Sequence, residues 1–248
     1  MPIKEALPFL KKSLELAKRM YSNFSFLLLV CITMSISQFS QAQQKTLSYL
    51  ALGDSYTIGE GVDVSDRYPM QLIQEWNKAA KTPFASPLII AKTGWTVDEL
   101  EAGIQATPTA AEGYDLVTLL IGVNNQYRGR SVESYALDFE KMLQRAIAFA
   151  RGNKAHVIVL SIPDWGVTPF AISKGVNPAQ VANQIDDYNE TKKEICEKHG
   201  IKFIDITVEY RVNGGLPEGV VEDQLHPSKL IYRQWMGKLL KELNTMKF

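Results

Sequence analysis

The chain predicts a mainly parallel β-sheet covered by helices on both faces. Three observations carry that prediction. Five short apolar runs, at 47–52, 88–91, 116–121, 156–162 and 201–206, are spaced along the last two hundred residues. Several are apolar without alternation, as expected of strands buried on both faces. Each is separated from the next by a helix-length stretch, so successive strands are joined by right-handed crossovers, not hairpins.

The elements follow in order. Run 47–52 leads directly into Gly53-Asp54-Ser55. Residues 68–80 carry Met70, Leu72, Ile73 and Trp76 at helical spacing. After run 88–91 comes a shorter helical pattern at 97–106. Run 116–121 is followed by the clearest amphipathic stretch, 132–151, with Tyr135, Phe139, Leu143, Ile147 and Ala150 on one face. After 156–162, the connection 163–177 holds Pro, Gly, Trp and Phe. It is too long for a simple turn and is a candidate substrate-contacting loop. Residues 178–198 form a long helix with Ile185, Tyr188 and Ile195 as its apolar stripe. Pro227 is expected to open a final helix to Leu243, with Ile231, Trp235, Leu239 and Leu243 buried.

The N-terminal segment reads differently. Lys18 and Arg19 precede an apolar stretch at 24–36, and Ser40-Gln41-Ala42 follows. A charged region, a short apolar core and a small-residue site make a secretory leader. Residues 1–42 are therefore expected to be removed near Ala42, leaving a domain of 43–248 that is secreted or periplasmic. The apolar stretch is 13 residues long, short of the ~20 that span a bilayer as a helix. An uncleaved anchor is the alternative, and a start at Met20 is open. The first 42 residues hold five basic and two acidic residues, which leaves 22 basic against 25 acidic in the remainder. No basic cluster marks a nucleic-acid partner. Beyond the leader Cys196 stands alone, so the domain forms no internal disulfide and must hold by its core.

Candidate chemistry sits at the carboxyl ends of the predicted strands, where open α/β sheets place their sites. Ser55 ends the first run in a glycine-lightened turn, as a nucleophile would. A helix N-cap is its structural reading. Of three histidines, His156 borders an apolar strand and His199 ends a helix. His226 has no such explanation and lies three residues after Asp223, close enough for the carboxylate to orient the imidazole. Gly94 and Asn124 each fall just after a strand, with Asn125 as an alternative amide. No Cys/His ligand cluster points to a metal. Gly59-x-Gly61 lacks the third glycine of a dinucleotide fingerprint, so no cofactor is implied.

Gly53-Asp54-Ser55-Tyr56-Thr57-Ile58-Gly59-Glu60-Gly61, Lys92-Thr93-Gly94-Trp95-Thr96, Ile121-Gly122-Val123-Asn124-Asn125 and Asp223-Gln224-Leu225-His226-Pro227 together resemble the blocks of the SGNH (GDSL-type) hydrolases. The resemblance covers essentially all of 43–248. It implies a flavodoxin-like α/β/α sandwich with a five-stranded sheet and a Ser55–His226–Asp223 triad. It also implies an oxyanion hole made by the N–H of Ser55, the N–H of Gly94 and the side-chain amide of Asn124. Gly122-x-Asn124 matches the family spacing, which favours Asn124 over Asn125. The implied activity is hydrolysis of a small carboxylic ester through an acyl-enzyme. Short-chain esters or lysophospholipids are the expected substrates and carbohydrate deacetylation the close rival. Tyr127, Trp165 and Phe170 are candidate substrate contacts, and Arg128 could meet a leaving group or phosphate. An acyltransferase, and a non-catalytic lipid- or carbohydrate-binding protein, are the rivals in other classes.

Overall fold

The computed structural model describes residues 12, 14–21 and 45–248. The expected leader core at 24–36 and the cleavage site at Ala42 lie outside the described residues. Residues 14–21 are helical and exposed.

Residues 46–248 form one unit built on five strands: β1 Tyr49–Gly53, β2 Leu88–Ala91, β3 Leu116–Leu120, β4 Val157–Leu160 and β5 Lys202–Ile204. Their order is β2-β1-β3-β4-β5, and every pairing is parallel. Every residue of β1, β3 and β4 is buried, whereas edge strands β2 and β5 are partly open. This is the doubly covered sheet that the unbroken apolar runs demand.

The helices are α1 Ser55–Ile58, α2 Tyr68–Asn77, α3 Val97–Ala106, α4 Val123–Tyr127, α5 Val132–Phe149, α6 Pro169–Ser173, α7 Pro178–His199, α8 Thr207–Asn213 and α9 Lys229–Leu243. The chain leaves β1 toward β2 through α2, and then runs β2 to β5 in the opposite direction through α3, α5 and α7. Right-handed crossovers therefore put α2 on one face, packed with α9, and the α3–α5–α7 row on the other. The three-layer α/β/α architecture expected from the sequence is present.

One expectation needs correction. Pro227 does not open the last helix. It pairs with Val220 in an isolated antiparallel bridge, and α9 starts at Lys229 with the Ser228 hydroxyl accepting from Leu230 N at 3.3 Å. The serine after the proline supplies the cap, so the helix begins two residues later. The long 163–177 connection has local structure of its own. It folds into a 3₁₀ turn, Trp165–Val167, capped by Asp164, and then α6, capped by Thr168.

α7 buries a stripe at Val181, Ile185, Tyr188, Lys192 and Cys196. Lys192 is fully buried and donates to the Leu160 carbonyl at the end of β4 (2.9 Å). Cys196 is free and buried, and burial pushes its thiol up to about 12. It is a packing residue and not a reactive one. Among the described residues no helix is long and apolar enough to cross a membrane.

Candidate active site

Ser55, Gly94 and Asn124 are each set by the end of a strand, and His226 by a turn between two helices. β1 finishes at Gly53, where a Cβ would come within 2.4 Å of the Leu120 carbonyl and 2.1 Å of Thr57 Oγ1. Only glycine lets the chain turn so tightly against β3. Asp54 then caps α1, its Oδ1 accepting from Tyr56 N at 3.0 Å. Ser55 is thus the first residue of the helix and not its cap. The N–H at that position has no partner inside a helix, and it meets no acceptor among the described residues.

Gly94 lies in a turn just after β2 with φ of +84°, a left-handed conformation that favours glycine. Its N–H also meets no acceptor among the described residues. Asn124 and Asn125 lie in α4, after β3, and their side chains diverge. Asn125 is fully buried and its Oδ1 accepts from Val97 N at 3.1 Å, tying down the start of α3. Asn124 donates one amide hydrogen to the Trp95 carbonyl (3.0 Å) and borders the open pocket.

His226 and Asp223 occupy the turn between α8 and α9. His226 Nδ1 lies 2.5 Å from Asp223 Oδ2, while Asp223 Oδ1 accepts from the backbone N–H of Leu225 and His226, both at 2.9 Å. Burial pushes the Asp223 carboxyl upward. The imidazole and the two amides outweigh it and hold the group below the usual carboxylate range. An ionised carboxylate only accepts, so the ring nitrogen that faces it, Nδ1, carries a proton. The Tyr56 ring lies 5.3 Å from the imidazole, centroid to centroid, and packs it from one side.

Ser55, Gly94, Asn124, Tyr127, Trp165, Phe170 and His226 all line one pocket of about 170 Å³. The structure therefore brings together the candidate nucleophile, base, oxyanion donors and three substrate contacts, whereas Arg128 and the alternative amide Asn125 do not line the pocket. Asp223 stands behind His226. Tyr56, Thr93, Val123 and Leu225 complete the wall. Each adjoins a residue already singled out, so nearness in sequence was the available signal. Trp165 is fixed by Nε1 donating to Gln126 Oε1 (2.8 Å), and Gln126 in turn donates to Gln184 Oε1 (2.7 Å). Tyr127 meets Trp165 edge-on at 5.2 Å and is 55% exposed at the pocket edge. Arg128 bonds to the Gly94 carbonyl and to Glu99. The other histidines are engaged elsewhere: His199 with Glu140 (2.6 Å) and His156 with the Lys247 carbonyl (3.0 Å).

Next to Ser55 in the chain, Asp54 is fully buried and its Oδ2 meets no partner among the described residues. Burial raises its carboxyl to about 7 and lowers the buried Lys192 ammonium to about 7, each charge partly offsetting the other's desolvation. Sequence reasoning missed this pair. Counting the α7 stripe by threes and fours from Val181 lands on Lys192. Among the described residues no group of His, Cys, Asp and Glu could hold a metal ion.

A doubly wound sheet with a serine, a histidine and an asparagine amide gathered beyond its strand ends has the layout of an acyl hydrolase. Residues 51–234 match the model of the GDSL-like lipase/acylhydrolase family, and the chain belongs to that family. No curated protein matches it in sequence. Among solved structures it is similar to the acetylxylan esterase Axe2 from Geobacillus stearothermophilus, with 17% identity, a TM-score of 0.63, and coverage of 82% of this chain and 97% of that one. It is also similar to the psychrotrophic esterase EstA from Pseudoalteromonas sp., with 16% identity, TM-score 0.61, and coverage of 80% and 99%. The lipase/acylhydrolase from Enterococcus faecalis gives 18% identity, TM-score 0.62, and coverage of 80% and 95%. At these identities the likeness is one of fold.

Proposed function

We propose that the protein is an exported serine esterase that cleaves short-acyl carboxylic esters through an acyl-enzyme on Ser55. The observation that carries this reading is the single pocket lined by Ser55, His226, Gly94 and Asn124, with Asp223 holding the far side of the imidazole. Ser55 Oγ attacks the ester carbonyl and its proton passes to His226 Nε2. The oxyanion that forms takes the N–H of Ser55, the N–H of Gly94 and the second amide hydrogen of Asn124. Collapse expels the alcohol, which leaves with the proton from His226. Water, deprotonated by the same nitrogen, then releases the acid.

Pocket size supports a short acyl group. About 170 Å³ is below the ~300–1,000 Å³ typical of drug-sized ligand sites, and Trp165 is fixed as one wall. That favours a short-chain ester over the long acyl chain of a lysophospholipid. A carbohydrate O-deacetylase is the second reading. The exposed Tyr127 ring beside the pocket offers a face to a sugar leaving group, and Axe2, an acetylxylan esterase, shares the fold. Export follows from the leader-like sequence of residues 1–42.

A serine-reactive fluorophosphonate should label the wild type and not Ser55→Ala. Hydrolysis should be fastest for acetyl to butyryl esters and fall with longer chains. Equal labelling of both proteins would remove Ser55 from the mechanism. Product analysis with an added alcohol acceptor separates hydrolase from transferase.

A further inference from the structure

We infer that Arg128 is a positioning residue for the oxyanion hole, locking the Gly94 turn and the Asn124 helix into one unit. The inference rests on the proposed roles of Gly94 and Asn124.

Those two groups come from different loops, one after β2 and one after β3. No strand pairing extends past Ala91 to hold Gly94, and its φ of +84° places it in a tight turn. Arg128 follows α4 directly. One guanidinium nitrogen donates to the Gly94 carbonyl at 2.6 Å and the other to Glu99 Oε1 at 3.0 Å. The other oxygen of Glu99 accepts from Thr96 N (2.9 Å), closing the capping box that starts α3. Asn124 takes the next carbonyl, that of Trp95, at 3.0 Å. Arg128 N donates to Asn124 O at 3.1 Å, so the two side chains leave the same helical turn. Residues 124 and 128 thus grip the carbonyls of 94 and 95. On the other side the Thr93 hydroxyl donates to the Glu60 carboxylate, and Glu60 N donates to Ser55 O (3.0 Å). The Gly94 turn is held from both the nucleophile loop and the asparagine helix.

A planar guanidinium can aim two donors at two fixed acceptors, and an ammonium is a single point donor. Oxyanion donors act by standing ready where charge develops, so a loosened turn costs transition-state stabilisation more than ground-state binding. The Arg128 side chain is 43% exposed, and an exposed ion pair contributes little to stability. Catalysis and stability therefore separate at this residue.

The test compares Arg128→Met and Arg128→Lys with wild type and Ser55→Ala, on an aryl acetate, with kcat, KM and Tm measured for each. Arg128→Met should lower kcat about tenfold, short of the 10²–10³ that losing a whole donor costs, with KM nearly unchanged and Tm little moved. Arg128→Lys should recover only part of the loss. Free guanidinium, below denaturing concentrations, should raise kcat of Arg128→Gly. Wild-type kcat in Arg128→Met beside an inactive Ser55→Ala overturns this inference alone. So does a rise confined to KM, which would make Arg128 a substrate contact, or a kcat loss matched by a large fall in Tm. Undiminished activity in Ser55→Ala overturns the site reading and this inference with it.

Discussion

Replacing Asn124 or Asn125 by alanine makes a sharp pair, because the structure gives these neighbours opposite tasks. Asn124 spends one amide hydrogen on the Trp95 carbonyl and keeps the other beside the pocket. If it is the oxyanion donor proposed above, its loss costs about 10²–10³ in kcat, or roughly 3–4 kcal/mol, as in comparable sites. Only one intramolecular hydrogen bond is lost, about 1 kcal/mol of stability. Asn125 is fully buried and its Oδ1 takes the Val97 N–H at the start of α3. Asn125→Ala leaves that buried donor unpaired, at about 1–3 kcal/mol. A central value of about 2 kcal/mol lowers Tm by about 4–8 °C in a chain of this size. Initial-rate kinetics on an aryl acetate well below Tm, with thermal melts of both variants, read the two effects separately. Asn124→Ala should lose kcat with a fall in Tm of only about 2–4 °C, and Asn125→Ala should keep kcat with the larger fall. If Asn125→Ala loses kcat while keeping its Tm, or Asn124→Ala raises KM alone, the oxyanion assignment is wrong.

Other outcomes follow from the same geometry. Asp223→Asn keeps an oxygen for the Leu225 and His226 amides but removes the carboxylate from the imidazole. It should cut kcat about 10⁴-fold with the circular-dichroism spectrum preserved, and a loss under tenfold would deny Asp223 its triad role. Trp165→Ala should enlarge the pocket and move the best acyl length upward, read as kcat/KM across acetyl, butyryl and octanoyl esters. An unchanged order would show that Trp165 does not wall the acyl site. N-terminal sequencing of exported protein should begin near Gln43, and retention of residues 24–36 in a membrane fraction would show an anchor instead. Lys192 is held near 7 in the folded protein against about 10.4 unfolded. The unfolded chain therefore binds the extra proton between those values, and wild-type stability rises with pH there. The Tm of wild type relative to Lys192→Met should climb from about pH 7 to 10, and a flat difference would mean that Lys192 stays charged when folded.

The sheet was legible because burial on both faces leaves a plain mark: β1 and β4 are apolar runs, β3 is broken only by Thr118, and all three are wholly buried. The long helices were legible by periodicity. One-turn helices were not. Ser55–Ile58, Val123–Tyr127 and Pro169–Ser173 span four or five residues, too few for a helical period to show. Their capping residues, Asp54 and Thr168, could be seen only as turn formers. Pro227 misled because proline suits both the first turn of a helix and the residue before its cap. Lys192 was hidden by chemistry: a lysine in an amphipathic helix reads as solvent-facing, and only the stripe around it shows otherwise. The site residues themselves were legible as blocks. What the blocks could not show is that Asn125 turns inward to α3 while Asn124 turns to the pocket.

The strand order explains why residues so far apart in sequence meet. From β1 the chain steps one way to β2 and then returns past β1 to β3, which makes the β1–β3 boundary a switch point. Loops leaving the two strands there diverge to opposite faces and leave a crevice at their carboxyl ends. Ser55 leaves β1 and Asn124 leaves β3, so nucleophile and amide flank that crevice. Gly94 comes from β2 beside them and Trp165 from β4 on the far side. The Asp223–His226 turn then closes over the serine from beyond β5. The proposed donors at Ser55 and Asn124 are each carried by a short helix anchored on a buried strand, so little reorganisation is needed as charge develops. The third proposed donor, Gly94, sits in a turn on edge strand β2, and there side-chain bonds from Arg128 and to Glu60 take the place of sheet pairing.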